Sequence, residues 1–208
     1  AKNKPKFREL FSKRRAINIL SAERLFLFGA RDIWLVVALP VFLSSELQWD
    51  FWQTSGFLAS WIIGYGLVQS IAPLILRTQT RSVPDGKSAC VWAIVLTLVT
   101  IVLAAALSTN LPVDVVLISG LIMFGIVFAI NSSLHSYLIV SYAKEDGVSL
   151  DVGFYYMANA MGRLIGTLLS GWIYQSAGLI ACLWATSAFV LLAALLSSAL
   201  PKTPAQHS

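Results

Sequence analysis

Residues 21–40, SAERLFLFGARDIWLVVALP, combine four charged side chains with a run of Leu, Phe, Val and Ala. With its flanks the apolar run covers residues 17–43, about 40 Å of helix, which is long enough to cross a bilayer with some tilt. A charged residue at membrane depth costs about 2.5 to 3.5 kcal/mol on insertion scales. The four charges, Glu23, Arg24, Arg31 and Asp32, therefore mark a candidate functional site.

Helical geometry sorts these four charges. Arg24 and Arg31 are seven residues apart, so they fall on nearly the same stripe, about 10 Å apart along the axis. Glu23 and Asp32 are nine residues apart and lie on opposite sides of that stripe, so we expect them to meet different partners. Adjacent residues on a helix do not face each other. We therefore expect neither Glu23 to neutralise Arg24 nor Asp32 to neutralise Arg31.

The composition is that of a polytopic membrane protein. The 208 residues are 57% hydrophobic and 12% charged, whereas about a quarter of a soluble domain is charged. The net charge of +5 does not indicate nucleic-acid binding, because the basic residues lie between the apolar runs. Cys90 and Cys182 fall in different runs, so we predict neither a disulfide nor a metal site. No catalytic or cofactor motif is present, and the sequence does not predict an enzyme.

Apolar runs and turn residues together predict six membrane-spanning helices. Short polar segments separate the runs, with turn signals such as Pro84-Asp85-Gly86 and Ala177-Gly178. The predicted spans are residues 17–43, 52–76, 88–107, 113–142, 152–174 and 179–200. We expect a basic cytoplasmic connector at residues 1–16, a transmembrane domain at residues 17–200 and a cytoplasmic tail at residues 201–208. The chain opens on this connector without Met, so we expect a further part upstream.

The distribution of Lys and Arg predicts the orientation. All of these residues outside the spans lie on one side, and the opposite loops contain none. They are Lys2, Lys4, Lys6, Arg8, Lys13, Arg14, Arg15, Arg77, Arg81, Lys87, Lys144 and Lys202. By the positive-inside rule both termini are cytoplasmic. The other three basic residues, Arg24, Arg31 and Arg163, fall within predicted spans.

The polarity of the spans follows a pattern of three plus three. The third and sixth spans carry no charge and are expected to face lipid, whereas the first, fourth and fifth carry charged or polar side chains. Transporter halves built from inverted structural repeats have such an arrangement. The predicted fold class is therefore an all-α membrane protein with six transmembrane helices as a 3+3 inverted repeat.

Arg24, Arg31 and Arg163 are candidate substrate-binding residues for an anion. A guanidinium offers five donors in a planar fork that matches carboxylate or phosphate, and it stays charged at any accessible pH. Three arginines against two acids leave one positive charge for an anionic cargo. The alternative is structural: Asp32 pairs with Arg163 between helices, and Glu23 and Arg24 reach the cytoplasmic interface.

Polar residues of the fourth and fifth spans complete the candidate set. Asn131 and His135 share a helix face, and His135 is a candidate proton carrier because the pKa of histidine lies close to neutral. Asn159 and Tyr155 precede Arg163 and are candidate cargo contacts. All four are alternatively packing or interface residues. The small residues Gly162, Gly166 and Ser170 predict a close helix crossing.

Two blocks, FRELFSKRRAINILSAERLFLFGARDIW at residues 7–34 and NSSLHSYLIVSYAKEDGVSLDVGFYYMANAMGRLIGTLLSG at residues 131–171, carry a family resemblance. With the six-span pattern, they resemble the C-terminal half of major facilitator superfamily transporters. More narrowly, they resemble the organoarsenical efflux permeases of the ArsJ type. This resemblance implies one half of a 12-helix fold in a bacterial inner (plasma) membrane, with a six-helix half upstream.

The same resemblance implies a cargo and an energy source. The cargo would be 1-arseno-3-phosphoglycerate, which glyceraldehyde-3-phosphate dehydrogenase forms when it uses arsenate, and its export would give arsenate resistance. Superfamily energetics would suggest proton-driven export (antiport), with Asp32, Glu23 or His135 as candidate proton carriers. Two alternatives stay open: transport of another organic anion, and a channel or structural subunit whose charges only pair helices.

Overall fold

The computed structural model describes residues 15–79, 85–143 and 148–200, with the side chains of α3 described as far as Ala72. Within these ranges the chain is helical and contains no strand. The helices are α1 (Arg15–Leu35), α2 (Ala38–Ser45), α3 (Phe51–Gln79), α4 (Gly86–Leu107), α5 (Val113–Tyr142) and α6 (Val148–Ser197). Most of the predicted connector and the whole predicted tail lie outside the described residues.

Five apolar stretches of the described chain are long enough to cross a membrane. They are Arg15–Ser45, Phe51–Ala72, Gly86–Leu107, Val113–Tyr142 and Val148–Ser197. Their length and hydropathy confirm the prediction of an all-α membrane protein.

The first stretch is two helices, where the sequence predicted one. α1 ends at Leu35 and α2 begins at Ala38, because Pro40 has no N–H to donate to the carbonyl of Val36 and its ring would clash with that carbonyl. The N–H of Ala38 donates instead to Ser170 Oγ, at 3.1 Å. The break is therefore held in place from α6.

The fifth stretch reverses direction at Gly178. As one straight helix its 50 residues would be about 75 Å long, more than twice the thickness of a hydrocarbon core. Gly178 has φ 78° and ψ −174°, a conformation that favours glycine. Cys182 Sγ lies 3.9 Å from Ser170 O, although twelve residues of helix rise about 18 Å. The two parts of α6, residues 148–177 and 179–197, therefore lie side by side.

Contacts of α1 show how its neighbours run. As residue numbers increase along α1, the residue numbers of its partners decrease on α5 and increase on the first part of α6. On the second part of α6 the partners' residue numbers decrease. The contacts are Arg24–Ser132 and Trp34–Phe124 for α5, Leu25–Gly162 and Ala38–Ser170 for the first part of α6, and Phe26–Phe189 and Ala30–Thr186 for the second. α1 is thus parallel to the first part of α6 and antiparallel to α5 and to the second part.

Exposure of the helices differs from the expectation that the third and sixth spans face lipid. α4 and the second part of α6 each have one exposed apolar stripe, but they also bury hydroxyl groups against each other. Ser187 Oγ donates to Thr100 Oγ1 at 2.9 Å, and such groups need partners away from lipid. The most exposed helix is α3, which packs mainly against α5.

Two apolar clusters enclose the charged residues of α1. The larger surrounds Trp34, Phe124 and Phe128, and the smaller surrounds Leu20 and Leu134. Glu23 and Arg24 lie on α1 between the residues that belong to these two clusters. Packing of the two clusters therefore holds Glu23 and Arg24 in place, although burying charged groups in apolar surroundings is costly.

Candidate functional site

Asp32 is held by two arginines at the middle of the membrane stretches. Arg31 Nε lies 2.7 Å from Asp32 Oδ1, and Arg163 Nε lies 3.1 Å from Asp32 Oδ2. The contact with Arg163 is the interhelical pair of the structural alternative. The contact with Arg31 contradicts the expectation that adjacent residues do not meet. Its reason is the length of the arginine side chain, which folds back onto the neighbouring carboxylate.

This group of three carries one net positive charge. The hydrogen bonds described for Arg31 and Arg163 use Nε, so the terminal nitrogens of both guanidinium groups are not engaged by Asp32. The Arg163 side chain is 56% exposed and that of Arg31 is 16% exposed. Arg163 lies in the middle of residues 148–177, a depth at which facing lipid would cost about 2.5 to 3.5 kcal/mol.

Arg24 is buried without a carboxylate partner among the described residues. Its Nη1 donates to the carbonyl and the hydroxyl oxygens of Ser132, both at 3.3 Å, and its Nε has no hydrogen-bond partner in the described part of the chain. The guanidinium carbon lies 3.9 Å from the centre of the Phe28 ring and 5.0 Å from that of Tyr155. Arg24 is 5% exposed, and its guanidinium contacts side chains of α1, α5 and α6 and not a surface.

Phe28 connects the two arginine levels of α1. The guanidinium carbon of Arg31 lies 4.9 Å from the same ring centre that Arg24 approaches, which keeps the two carbons within about 9 Å of each other. This agrees with the shared stripe predicted from the sequence. A single ligand with two acidic groups is long enough to reach both guanidinium groups.

Glu23 and His135 form a second buried contact on the other side of Arg24. His135 Nε2 lies 3.4 Å from Glu23 Oε2, and both side chains are almost completely buried. Neither oxygen of Glu23 makes a hydrogen bond of standard geometry within the described residues. Glu23 therefore meets α5 and Asp32 meets α6, as their opposite positions on α1 predicted.

Asn131 makes hydrogen bonds to backbone carbonyls of two helices, while its Oδ1 has no partner among the described residues. Its Nδ2 donates to the carbonyls of Trp92 and Val127, both at 3.0 Å, so it joins α5 to α4. The arginine contact on α5 is made by the next residue, Ser132.

Tyr155 and Asn159 are closer to the arginines. Tyr155 is fully buried beside Arg24, and its hydroxyl faces Ser136 without a hydrogen bond of standard geometry. Asn159 is half-buried one helical turn before Arg163, and its Oδ1 has no hydrogen-bond partner in the described ranges. The structure thus places both on the α6 side of the arginine cluster.

Three contacts of the site were not predicted. Ser132 belongs to the polar run at residues 131–136, but a pattern in one helix does not show which member faces α1. Phe28 lies between Arg24 and Arg31 on their stripe, so the helical spacing contained the signal. Phe128, 5.6 Å from the Arg31 guanidinium carbon, required the register of α5 against α1.

The described residues form two apolar grooves that no arginine lines. One, of about 500 Å³, lies between α4 and α5, and the other, of about 330 Å³, lies between α3 and α5. Neither is lined by a charged residue. The described residues also contain no group of three His, Cys, Asp or Glu side chains that would hold a metal ion. In the described chain, the candidate anion site is therefore the arginine cluster, which consists of Arg24, Arg31 and Arg163 with Asp32.

Neither a known family model nor a curated protein matches the sequence. The functional conclusion therefore depends on the geometry of the arginine cluster, with the family resemblance as an expectation beside it.

Proposed function

We propose that the protein is a secondary membrane transporter for an organic anion. The observation that carries this proposal is Arg163, a half-exposed guanidinium at mid-span, next to Arg31 and sharing one carboxylate with it. Lipid is a poor neighbour for such a group, and charged side chains at this depth normally face a protein interior or a water-filled path. An anion on that path would neutralise the remaining positive charge.

The proposed architecture is a six-span 3+3 repeat forming one half of a 12-helix carrier of the major facilitator type. The reversal at Gly178 supports it, because a stretch that folds back crosses the membrane twice. An even number of spans places both termini on one side, and the one-sided Lys and Arg distribution favours the cytoplasm. The upstream six-helix half and the bacterial inner membrane are what the resemblance adds.

The proposed cargo carries two acidic groups. Arg24 and Arg31 lie within about 9 Å of each other, and Arg163 offers a third guanidinium near Arg31. Guanidinium groups bind phosphate-like and carboxylate oxygens in pairs. The resemblance narrows the cargo to 1-arseno-3-phosphoglycerate and the direction to efflux, with glyceraldehyde-3-phosphate dehydrogenase as its source.

One observation favours the second candidate, a channel or structural subunit. Both oxygens of Asp32 are engaged by arginines, one from α1 and one from α6, so these charges also hold two helices together. Under this alternative, organic anions leave the thermal stability of the protein unchanged. Arg24 is the counter-observation, because no described carboxylate pairs with it.

Substitution of the mid-span arginines tests transport. We expect Arg31→Ala and Arg163→Ala each to lower counterflow of 3-phosphoglycerate, and of its arseno derivative, by at least tenfold in membrane vesicles, since each removes a binding fork. Phosphate alone should exchange poorly, because it reaches only one arginine level. The matched control is Arg15→Ala, an exposed arginine at the start of α1.

Protein amount in the membrane, measured by immunoblot, separates loss of transport from loss of folding. Unchanged counterflow in both variants at equal protein amount would remove the anion-site proposal. Loss in Arg15→Ala to the same extent would show that general positive charge, and not this site, supports transport.

A further inference from the structure

The contact between Glu23 and His135 has features that the anion site does not use. The two side chains are 0% and 1% exposed, they meet at 3.4 Å, and His135 Nδ1 has no hydrogen-bond partner among the described residues. Ser197 faces Glu23 from the second part of α6, but its hydroxyl donates to the carbonyl of Ala193. The carboxyl group thus has the imidazole of His135 and the hydroxyl of Ser197 as polar neighbours.

A buried carboxylate and a neutral imidazole together carry one negative charge, and one added proton makes the pair neutral. The proton is held on the carboxyl group or on Nε2 of the imidazole, and the overall charge is the same in both cases. Burial of an uncompensated charge is costly, so proton binding at this place changes the local electrostatics strongly.

Arg24 is the charge that experiences this change. It follows Glu23 on α1, and its partner Ser132 lies one turn from His135 on the same face of α5. The other titratable groups facing the pair are Tyr155 from α6 and Tyr142 from α5. Both are neutral phenols near neutral pH, so Arg24 is the neighbouring permanent charge in the described residues.

We infer that the Glu23–His135 pair binds one proton, and that this proton and an anion at Arg24 favour each other's binding. The inference rests on the proposed function, because it needs an anion at Arg24. Without the proton, the negative pair offsets the charge of Arg24 and competes with the anion. With the proton, Arg24 keeps a full positive charge for the anion. By linkage the effect is reciprocal, so anion binding must draw a proton from solution.

The geometry assigns this role to Glu23 and His135 and not to Asp32. Both oxygens of Asp32 are within 3.1 Å of arginine donors, so its acceptor sites are already engaged. Among the described residues, no arginine donates a hydrogen bond to either oxygen of Glu23. Exchange of a proton for the anion at one site would require that each excludes the other. The linkage inferred here has the opposite sign, because the proton and the anion favour each other's binding.

Proton uptake on anion binding tests the inference directly. The purified full-length protein is placed in weakly buffered detergent solution with a pH indicator, between about pH 5 and about pH 9, and sulfate is added as a tetrahedral dianion that does not titrate in this range. We expect the wild type to take up as much as one proton per bound sulfate, and sulfate affinity to fall by as much as about tenfold per pH unit at the alkaline end. Glu23→Gln should take up none and bind sulfate with little pH dependence.

Controls separate this result from failure of the anion site. Glu46→Gln, an exposed loop glutamate, should behave like the wild type. Sulfate binding without proton uptake at every pH, or equal uptake in Glu23→Gln, would overturn the inference and leave the anion site standing. Absence of binding of both sulfate and 3-phosphoglycerate to wild type would instead refute the anion site and, with it, the linkage.

A second measurement follows the pair without any anion. The imidazole NMR signals of His135 are titrated in the wild type and in Glu23→Gln, with His207 as the internal reference. We expect Glu23→Gln to alter the titration of His135 and leave that of His207 unchanged. Identical His135 titrations would show that the two groups do not share a proton, which would overturn the inference whatever the sulfate result.

Discussion

Asp32 sets the charge balance at mid-membrane, because it engages one nitrogen of each of two arginines. Its contacts at 2.7 and 3.1 Å occupy Nε of Arg31 and of Arg163 and leave their terminal nitrogens for other oxygens. Under the proposed function, an anionic cargo would meet a preassembled pair of donors and also a competing carboxylate. The balance between these two effects can be shifted at a single residue.

We expect Asp32→Asn to tighten 3-phosphoglycerate binding about tenfold, because the competing charge is gone. The free energy of unfolding without ligand should fall by about 1 to 3 kcal/mol, less than for a fully buried pair because Arg163 is half exposed. Calorimetric titration and thermal unfolding in detergent measure the two effects. Asp50→Asn, in an exposed loop, is the control. Lower stability with unchanged affinity would favour the purely structural role of the charges.

At this scale the sequence predicted where the charged residues lie on α1 better than what they touch. Charges in an apolar run are visible because of their cost, and helical spacing placed Arg24 and Arg31 on one stripe. Their partners depend on how α5 and α6 lie against α1, which one helix does not encode. Ser132 in place of Asn131 was missed for this reason, whereas Asp32 beside Arg31 was missed because the long arginine side chain folds back along its own helix.

At the scale of elements, α1 and the first part of α6 are in backbone contact. A Cβ on Gly162 would overlap the carbonyl of Leu25, and one on Gly166 would overlap the carbonyl of Gly29. This contact confirms the close crossing predicted from the small residues, and it brings Arg163 within reach of Asp32. The crossing therefore positions Arg163 beside Asp32 as well as packing the helices.

Adding one methyl group at the crossing tests its importance. We expect Gly162→Ala to lower the free energy of unfolding by about 1 to 3 kcal/mol, since backbone atoms cannot move aside as a flexible side chain does. Gly153→Ala is the matched control, because it lies in the same helix with open space around its Cβ position, and it should be neutral or stabilising by up to about 1 kcal/mol. Equal effects in thermal unfolding would contradict the close approach.

The elements also show what hydropathy encodes. The predicted spans at residues 88–107 and 113–142 match α4 and α5 to within two residues, because long apolar runs with turn residues at both ends leave little freedom. The break before Pro40 was missed, since the apolar run continues through it and only the backbone hydrogen bonds reveal the interruption. The exposure of α3 was missed because it depends on which helices pack around it.

At the scale of the whole molecule, the reversal at Gly178 determines how many times the chain crosses the membrane. A continuous α6 would place its two ends on opposite sides, whereas a reversed one returns to the side from which it started. If each of the other four stretches crosses once, a continuous α6 gives an odd number of crossings and a reversed α6 gives an even number.

Labelling of single cysteines decides between these topologies. In a background with Cys90→Ser and Cys182→Ser, we expect Ser176→Cys to react with a membrane-impermeant maleimide added outside intact cells, because Ser176 is exposed beside the reversal. Ser208→Cys should react only after the cells are opened. Labelling of both positions from outside would contradict cytoplasmic termini, and labelling of neither would contradict a loop at Gly178.

The backbone contact between α1 and the first part of α6 also constrains how these helices can move. Two helices in backbone contact along one turn, where Gly162 faces Leu25 and Gly166 faces Gly29, can change their crossing angle there but cannot separate without losing the contact. The crossing then acts as a fulcrum, so that spreading the helices toward one membrane face brings them together toward the other. A pair of glycines would in this way turn a small tilt into opposite movements at the two surfaces.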